Sequence, residues 1–519
     1  MTLPPLISLL TAVPIVGAVA VLAVGAKSAR LVRGLAFAFA SFGLGIVLIL
    51  WHRFDPSSGA LQFEEMHSWI PALGVQYHLG IDGLGLLMLL LSTVVVLMAI
   101  AASGQIQERA ALYFSLVLML EAGLIGTFTA LNFFHWFVFW ELSLIPAFFL
   151  IRLWGGPQRA TASTQFFIYT MVGSVGLLLA FLALFLCTGK FDFIALADMA
   201  RNGQLLSSFS AISDWHRFTT EKIGLILCFG AFLGFAVKVP LVPFHTWLPA
   251  TYAEAPTSVT MLLTGTMSKM GVYGFLRILL PIFYVQLRLV RTPLLWLAVA
   301  TIVLSAYAAL AQTDLKRIFA YSSINHLGYC MLGIFSVLSF TGDDAGLATE
   351  KAAALNGVFL QMFNHGLTAA TLFWFVALLE KRTGGLRDLN GFGGLRKVVP
   401  VFCGLMGIAL FSSLGLPGLN GFVGEFLIFK GAFPLATWPA SVSVLGLLLT
   451  AIFVLTILQR VFSGPLNETW SRMPDLTMRE RLALLPALAL MFVLGIYPQI
   501  VLGVVNSTAM QMAQHLGSR

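Results

Sequence analysis

Lys238 stands in Gly234-Phe-Ala-Val-Lys-Val-Pro-Leu-Val-Pro-Phe-His-Thr-Trp-Leu-Pro249, an apolar stretch that also carries Pro240, Pro243, Pro249 and His245. A lysine in hydrocarbon costs about 2.5–3.5 kcal/mol on insertion scales. Prolines in mid-span remove backbone donors and break the helix, which lipid tolerates only where protein or water covers the freed groups. A buried charge beside such a break is how transporters build an ion site at membrane depth. Four further ionisable groups fall inside apolar runs: Glu121, Glu141, Lys269 and Glu425. Such groups must pair with one another or sit in a water-filled interior where they exchange protons.

Glu141 lies in Asn132-Phe-Phe-His-Trp-Phe-Val-Phe-Trp-Glu-Leu-Ser-Leu-Ile-Pro146 and needs a cation, for which Lys238 is the natural partner. The pair is either switchable or a static ion pair that fixes helix packing. Lys269, in Thr264-Gly-Thr-Met-Ser-Lys-Met-Gly-Val-Tyr273, is flanked by small residues that allow close helix approach. It either snorkels to the interface or, by a change of pairing, takes up and releases a proton. His326 and His365 lie on neighbouring apolar runs with Ser, Asn and Gln nearby. Imidazole can relay protons near neutral pH, although a lone buried histidine is also often just hydrogen-bonded, and haem ligation is a third reading. His245 and His135 are weaker candidates. Glu425 follows the interruption Leu414-Gly-Leu-Pro-Gly-Leu-Asn-Gly-Phe-Val-Gly424, while Gly123 and Gly126 beside Glu121 are equally compatible with plain helix packing.

The elements that hold these groups follow from composition. The chain has 519 residues, 59% hydrophobic and only 10% charged, which excludes a soluble globular domain and indicates an all-α polytopic membrane protein. Apolar runs of membrane-spanning length number about fourteen, the first at 5–25 and the last at 482–505. The first has no basic residue before it and is read as a retained span rather than a signal peptide. The seventh (223–250) and twelfth (399–431) are long enough to be broken helices, and matched interruptions suggest inverted repeats. The division expected is 1–111, three spans and an outer loop; 112–281, a first repeat; 293–460, a second; and 461–519, a connector and last span. More than half of the 30 Lys and Arg residues fall in loops on one side, which places both termini outside. The loops near 52–82 and 188–222 have room for a hairpin or a surface helix. The net charge of +8 suits anionic lipid headgroups rather than nucleic acid, since the basic residues form no patch. The four cysteines, Cys187, Cys228, Cys330 and Cys403, have no metal or redox spacing, so no metal or iron–sulfur cofactor is expected in this chain.

Trp140-Glu141, Val237-Lys-Val-Pro240, His245-Thr-Trp-Leu-Pro249, Glu254-Ala-Pro256, Ser268-Lys-Met-Gly271, Asp314-Leu-Lys-Arg317, Ala320-Tyr-Ser-Ser323 and Leu416-Pro-Gly-Leu-Asn-Gly-Phe422 together resemble the antiporter-like membrane subunits of complex I. Related chains occur in Mrp-type cation/proton antiporters and membrane-bound hydrogenases, the alternative reading. A glutamate after the second break and the tract Arg152-Leu-Trp-Gly-Gly-Pro-Gln-Arg159 resemble the chain 4 (chain M) group, including its photosynthetic form. The resemblance implies fourteen helices with two inverted five-helix repeats. It implies that Glu141 and Lys238 are a switchable pair, Lys269 the central proton carrier, His326 and His365 a relay, and Glu425 the terminal proton site. It further implies a translocase subunit without a redox centre of its own, with NAD(P)H, FMN, iron–sulfur clusters and quinone in partner subunits. The partners implied are neighbouring antiporter-like subunits, and the location is the cell inner (plasma) membrane, or the thylakoid in a phototroph. The long outer loops are not explained by it.

Overall fold

The structure is a computed structural model that describes residues 5–25, 28–210, 218–339 and 345–517. Two apolar helices, α1 (Leu6–Val24) and α2 (Ala29–Arg53), open the chain. A hairpin of two antiparallel strands, β1 (Gln62–Ile70) and β2 (Val75–Ile81), follows them. The expected space for a hairpin at 52–82 is thus filled by one. Glu65 of β1 accepts from the Ile7 backbone N–H at 2.9 Å, so the hairpin lies on the face where α1 begins.

Four long helices follow, α3 (Gly83–Ala102), α4 (Ala110–Thr129), α5 (Phe133–Trp154) and α6 (Arg159–Thr188), of which α3 and α4 are mostly buried and α6 is not. A short surface helix, α7 (Phe193–Arg201), sits in the second long loop. Next, α8 (Thr220–Lys238) stops at the first predicted break and the chain resumes as α9 (Trp247–Glu254). The break covers its own loose ends: the Val237 carbonyl accepts from the Trp247 indole at 3.1 Å, and Val242 N–H donates to Thr301 Oγ1 at 3.1 Å. Freed backbone groups at membrane depth require such partners.

The next span, α10, starts as Thr257–Leu262, passes a π turn at Leu263–Met267, continues as Ser268–Gly274, and reaches Leu280–Ile282 through a second π turn at Phe275–Leu279. Lys269 therefore stands between two wide turns, a feature frequent at functional sites. Then come α11 (Arg291–Leu310), α12 (Leu315–Ser336) and α13 (Ala345–Thr383). The second predicted break separates α14 (Pro400–Leu414) from α15 (Asn420–Leu435), with Gly415 and Gly418 at φ +82° and +95°, where a side chain would strain the backbone. The chain closes with α16 (Thr437–Ile457), α17 (Met478–Ile496) and α18 (Gln499–Gly517).

Among the described residues ten helices are long and apolar enough to cross a membrane, or eleven if the bent pair α17 and α18 forms one span. The helices left out of that number include those that carry Lys269, His326 and Glu425. Turns interrupt α10; α14 and α15 are only 15 and 16 residues long; α12 carries Lys316, Arg317, Asn325 and His326. One expectation needs correction: the last run, read as continuous over 482–505, bends by 64° between Ile496 and Gln499. Pro498 lacks a backbone donor and disfavours helix at Tyr497 before it. Beyond the bend α18 lies along the hairpin face, where Ser507 Oγ donates to the Pro56 carbonyl at 2.6 Å and Thr508 Oγ1 accepts from Gly83 N–H at 3.1 Å.

Candidate functional site

Lys238 ends α8, where a cation is favoured by the helix carbonyls. Its Nζ reaches Ser143 Oγ at 3.5 Å and sits 4.7 Å from the centre of the Trp140 ring. Trp140 is held in turn by its indole N–H donating to Ser174 Oγ at 3.0 Å. Glu141, one residue along α5, is half-buried and its Oε1 has no hydrogen-bond partner in the structure. No ion pair closes between Glu141 and Lys238 among the described residues; instead the lysine rests on a hydroxyl and a ring face. A pair held apart in this way leaves the lysine free to exchange partners, which a closed buried salt bridge would resist.

Between Lys238 and Ser268 lies a cavity of about 10 Å³, walled otherwise by Phe166, Trp247, Leu263 and Met267. That is the room of about one water molecule, and its wall is almost wholly apolar. Ser268 Oγ is 3.5 Å from Lys269 Nζ, so this gap lies between the two lysines.

From Lys269 onward direct contacts continue. Its Nζ is 2.5 Å from the carbonyl of Thr264, a residue of the first π turn, and 2.7 Å from His365 Nδ1. Either the ammonium donates to a neutral imidazole or an imidazolium donates to a neutral amine, so one proton serves two bases. Hydrogen bonds to charged groups are worth about 1.5–3 kcal/mol each, which helps hold a fully buried lysine. The His365 and His326 rings stand 5.1 Å apart. His326 Nδ1 faces Glu425 Oε1 at 2.9 Å, and its Nε2 faces Ser413 Oγ at 3.3 Å. Gln361 donates to the same Glu425 oxygen at 3.2 Å. The glutamate is 5% exposed and stands at the second break, against Gly415.

The helices that carry this line approach closely where they must. A side chain at Gly424, beside Glu425, would meet Gln361 backbone at 3.0 Å, and one at Gly357 would meet the Ile428 backbone nitrogen at 2.4 Å, so α13 and α15 touch through glycine. The motif Asp314-Leu-Lys-Arg317 anchors the far end. Lys316 Nζ donates to the Ala255 carbonyl at 3.1 Å and pairs with Glu380 at 3.3 Å, which fixes the corner between α9 and α10.

The structure brings Lys269, His365, His326 and Glu425 into one line, with Lys238 one small cavity away and Glu141 beside it. It leaves three weaker candidates outside. Glu121 turns to the opposite side of α4, towards Gly43 and Leu10, with neither oxygen partnered. His135 packs on Tyr77 of the hairpin, 4.8 Å between ring centres. His245 lies near the Tyr321 ring at 6.4 Å, in the first break. Ser143, Ser413 and Thr264 contribute without having been singled out, since hydroxyls in apolar helices are ordinary and carry no sequence signal of their own. Among the described residues no group of three or more His, Cys, Asp or Glu side chains could hold a metal ion.

The chain matches the transmembrane family described as NADH:quinone oxidoreductase/Mrp antiporter over residues 130–452. It is 33% identical to NADH-quinone oxidoreductase subunit M of Rhodobacter capsulatus, over 98% of this chain and 96% of that one. It is 32% identical to an NAD(P)H-quinone oxidoreductase chain 4 of a Nostoc species, over 98% and 91%. Among solved structures it superposes on a chain of respiratory complex I from Thermus thermophilus with bound NADH, with a TM-score of 0.84 and 27% identity, covering 99% and 100% of the two chains. A chain of the Mrp complex from a Dietzia species has the same fold at 21% identity, with a TM-score of 0.83 and both chains covered in full.

Proposed function

This chain belongs to the NADH:quinone oxidoreductase/Mrp antiporter family of membrane subunits, and from that premise we propose that it is the proton-translocating chain 4 (subunit M) of a complex I-type NAD(P)H:quinone oxidoreductase. It is a multi-pass subunit of a membrane assembly, and its partners are the other membrane subunits of the complex. It serves in the bacterial plasma membrane, or the thylakoid in a phototroph. It works as part of a translocase whose nucleotide, flavin, iron–sulfur and quinone chemistry lies in partner subunits.

The observation that carries this reading is the polar line Lys269–His365–His326–Glu425 through an apolar interior, hydrogen-bonded at both ends with the two imidazole rings 5.1 Å apart between them. In the finer reading, quinone reduction elsewhere alters the field at Glu141, Lys238 is drawn to or released from it, and the change passes through the small cavity to Lys269. A proton on Lys269 moves to His365, then His326, then Glu425, which delivers it. The full count of fourteen spans adds the interrupted α10, α14–α15 and the polar α12 to the long helices. On that reading spans four to eight (112–281) and nine to thirteen (293–460) form two inverted repeats, each with one broken helix. Lys238 before the first break and Glu425 after the second support it. Kinship with Mrp antiporters leaves transport of another cation as the second reading, which the glutamate at 425 and the tract 152–159 disfavour.

In the assembled complex, Glu141→Gln, Lys238→Ala and Glu425→Ala should each impair proton-coupled quinone reduction. Assembly, followed by native electrophoresis, should persist. Normal pumping in all three would sink the assignment, and failure to assemble in all three would make the buried groups a scaffold.

A further inference from the structure

Outside the Lys–His–Glu line a cavity of about 740 Å³ opens on the hairpin face between the hairpin, α7 and α18. Its rim carries Glu64 and Asp198, both with about half of the side chain (49%) exposed, so water enters there. Its floor is the ion pair of Asp82 and Arg277, whose side chains are 2% and 15% exposed. Arg277 belongs to the second π turn of α10, eight residues beyond Lys269, or about 12 Å along the helix axis. Tyr273 stands between them: it lies one turn from Lys269 on the same face, and the Arg277 guanidinium lies 5.9 Å over its ring. A solvent-filled cavity therefore comes within two turns of the central lysine, along the very face that bears it.

We infer that Arg277, held by Asp82, is the seal that keeps protons in this cavity from reaching Lys269. A proton crosses a protein only through groups that both accept and release it, and a guanidinium does not deprotonate in proteins. Arginines exclude protons from other membrane pores in the same way. The Asp82 carboxylate, which could otherwise accept a proton at the cavity floor, is occupied by Arg277 and by the Gly85 N–H at 2.9 Å. The next hydroxyl inward is kept out of a relay while Arg277 is in place: Tyr273 lies beneath the guanidinium and donates to the Phe128 carbonyl at 3.0 Å. Arg277 Nε, buried and without an acceptor, ends the hydrogen-bonded path on its own side. A pump with a water-filled cavity beside its carrier must have such a stop, or the gradient it builds runs back through it.

The inference rests on the pumping role, and the test separates the two. The whole complex is reconstituted in vesicles, and the decay of an imposed pH step is followed with a trapped dye in the absence of substrate. Arg277→Gln leaves Asp82 as a free carboxyl at the floor; the pH step should collapse several-fold faster than in the wild type, with potassium permeability unchanged. The quinone-reduction rate with uncoupler present should stay at the wild-type level, and the gradient formed per quinone reduced should fall. Adding Asp82→Asn to Arg277→Gln removes the relay carboxyl and should restore most of the seal, which a generally loosened structure would not do. Arg277→Lys should leak at an intermediate rate, because a desolvated lysine does exchange protons. A wild-type decay rate in Arg277→Gln overturns the inference, as does a leak of potassium equal to that of protons. If Arg277→Gln does not assemble, Arg277→Lys decides: a leak above wild type supports the seal and a wild-type rate overturns it. Absence of pumping in the wild-type vesicles would instead remove the premise.

Discussion

At the scale of single residues, the chain places groups that hold protons where neighbours can share them. Lys269 and His365 share one proton across 2.7 Å, and His326 and Glu425 another across 2.9 Å. These four were legible in the sequence because each is a polar side chain in an apolar run and its cost demands a reason. Which histidine stands next to Lys269 was not legible, because contacts between α10, α12 and α13 are tertiary. Nor was Arg277, which falls near the end of an apolar run, where a charge is ordinary. On the hairpin face His78 makes a different use of the same chemistry. Its Nδ1 is 2.6 Å from Asp192 and its Nε2 3.2 Å from Glu64, so both nitrogens donate only in the imidazolium form. Burial alone lowers its pKa, but the hydrogen bonds and charges of Asp192 and Glu64 outweigh that and hold it above the usual histidine value. With the folded value raised, its stabilisation is complete below the ordinary value of about 6.5 and is lost as pH rises through the raised one. The hairpin should therefore grip α7 less firmly in alkali. Proteolysis of the hairpin segment should accelerate in the wild type as pH rises above the ordinary histidine value of about 6.5. His78→Gln should be fast and nearly pH-independent; equal pH dependence in both would show that His78 does not hold the latch.

At the scale of elements, broken and wide turns do the positioning. The two proline-marked interruptions were readable because proline cannot donate and glycine alone tolerates the φ values at Gly415 and Gly418. The π turns on either side of Lys269 were not, since one extra residue per turn leaves no mark in hydrophobic periodicity. The bend at Pro498 was missed for a related reason: apolar residues continue through it, so length and hydropathy read as one span. The second break also predicts its own sensitivity. A methyl on Gly421 would stand 1.9 Å from the Ser412 carbonyl oxygen, a backbone atom that cannot step aside, whereas one on Gly404 meets nothing within 4 Å. Overpacking of this kind costs about 1–3 kcal/mol. Gly421→Ala should lower the thermal midpoint of the assembled complex and the amount recovered, and Gly404→Ala should change neither; indistinguishable behaviour would mean that the break is not the tight corner described.

At the scale of the whole molecule, the fold is a set of apolar helices around one polar line, with a water-filled cavity on the hairpin face that stops short of it. Fold class, both breaks and the central residues were all legible from polarity placed against hydrophobicity. The junction between Lys238 and Lys269 was not, because it depends on a cavity of about 10 Å³ that no residue pattern encodes. Nor was the state of the Glu141–Lys238 pair, in which Ser143 and Trp140 hold the lysine. In the proposed function Lys269 is the central group: it stands between the cavity beside Lys238 and the imidazole of His365. The decisive measurement is the number of protons moved per quinone reduced by the intact complex in sealed vesicles carrying Lys269→Met, which keeps an unbranched side chain one atom shorter and removes its exchangeable proton. The account predicts a reduced proton yield from a complex that still assembles; a yield equal to the wild type would contradict it.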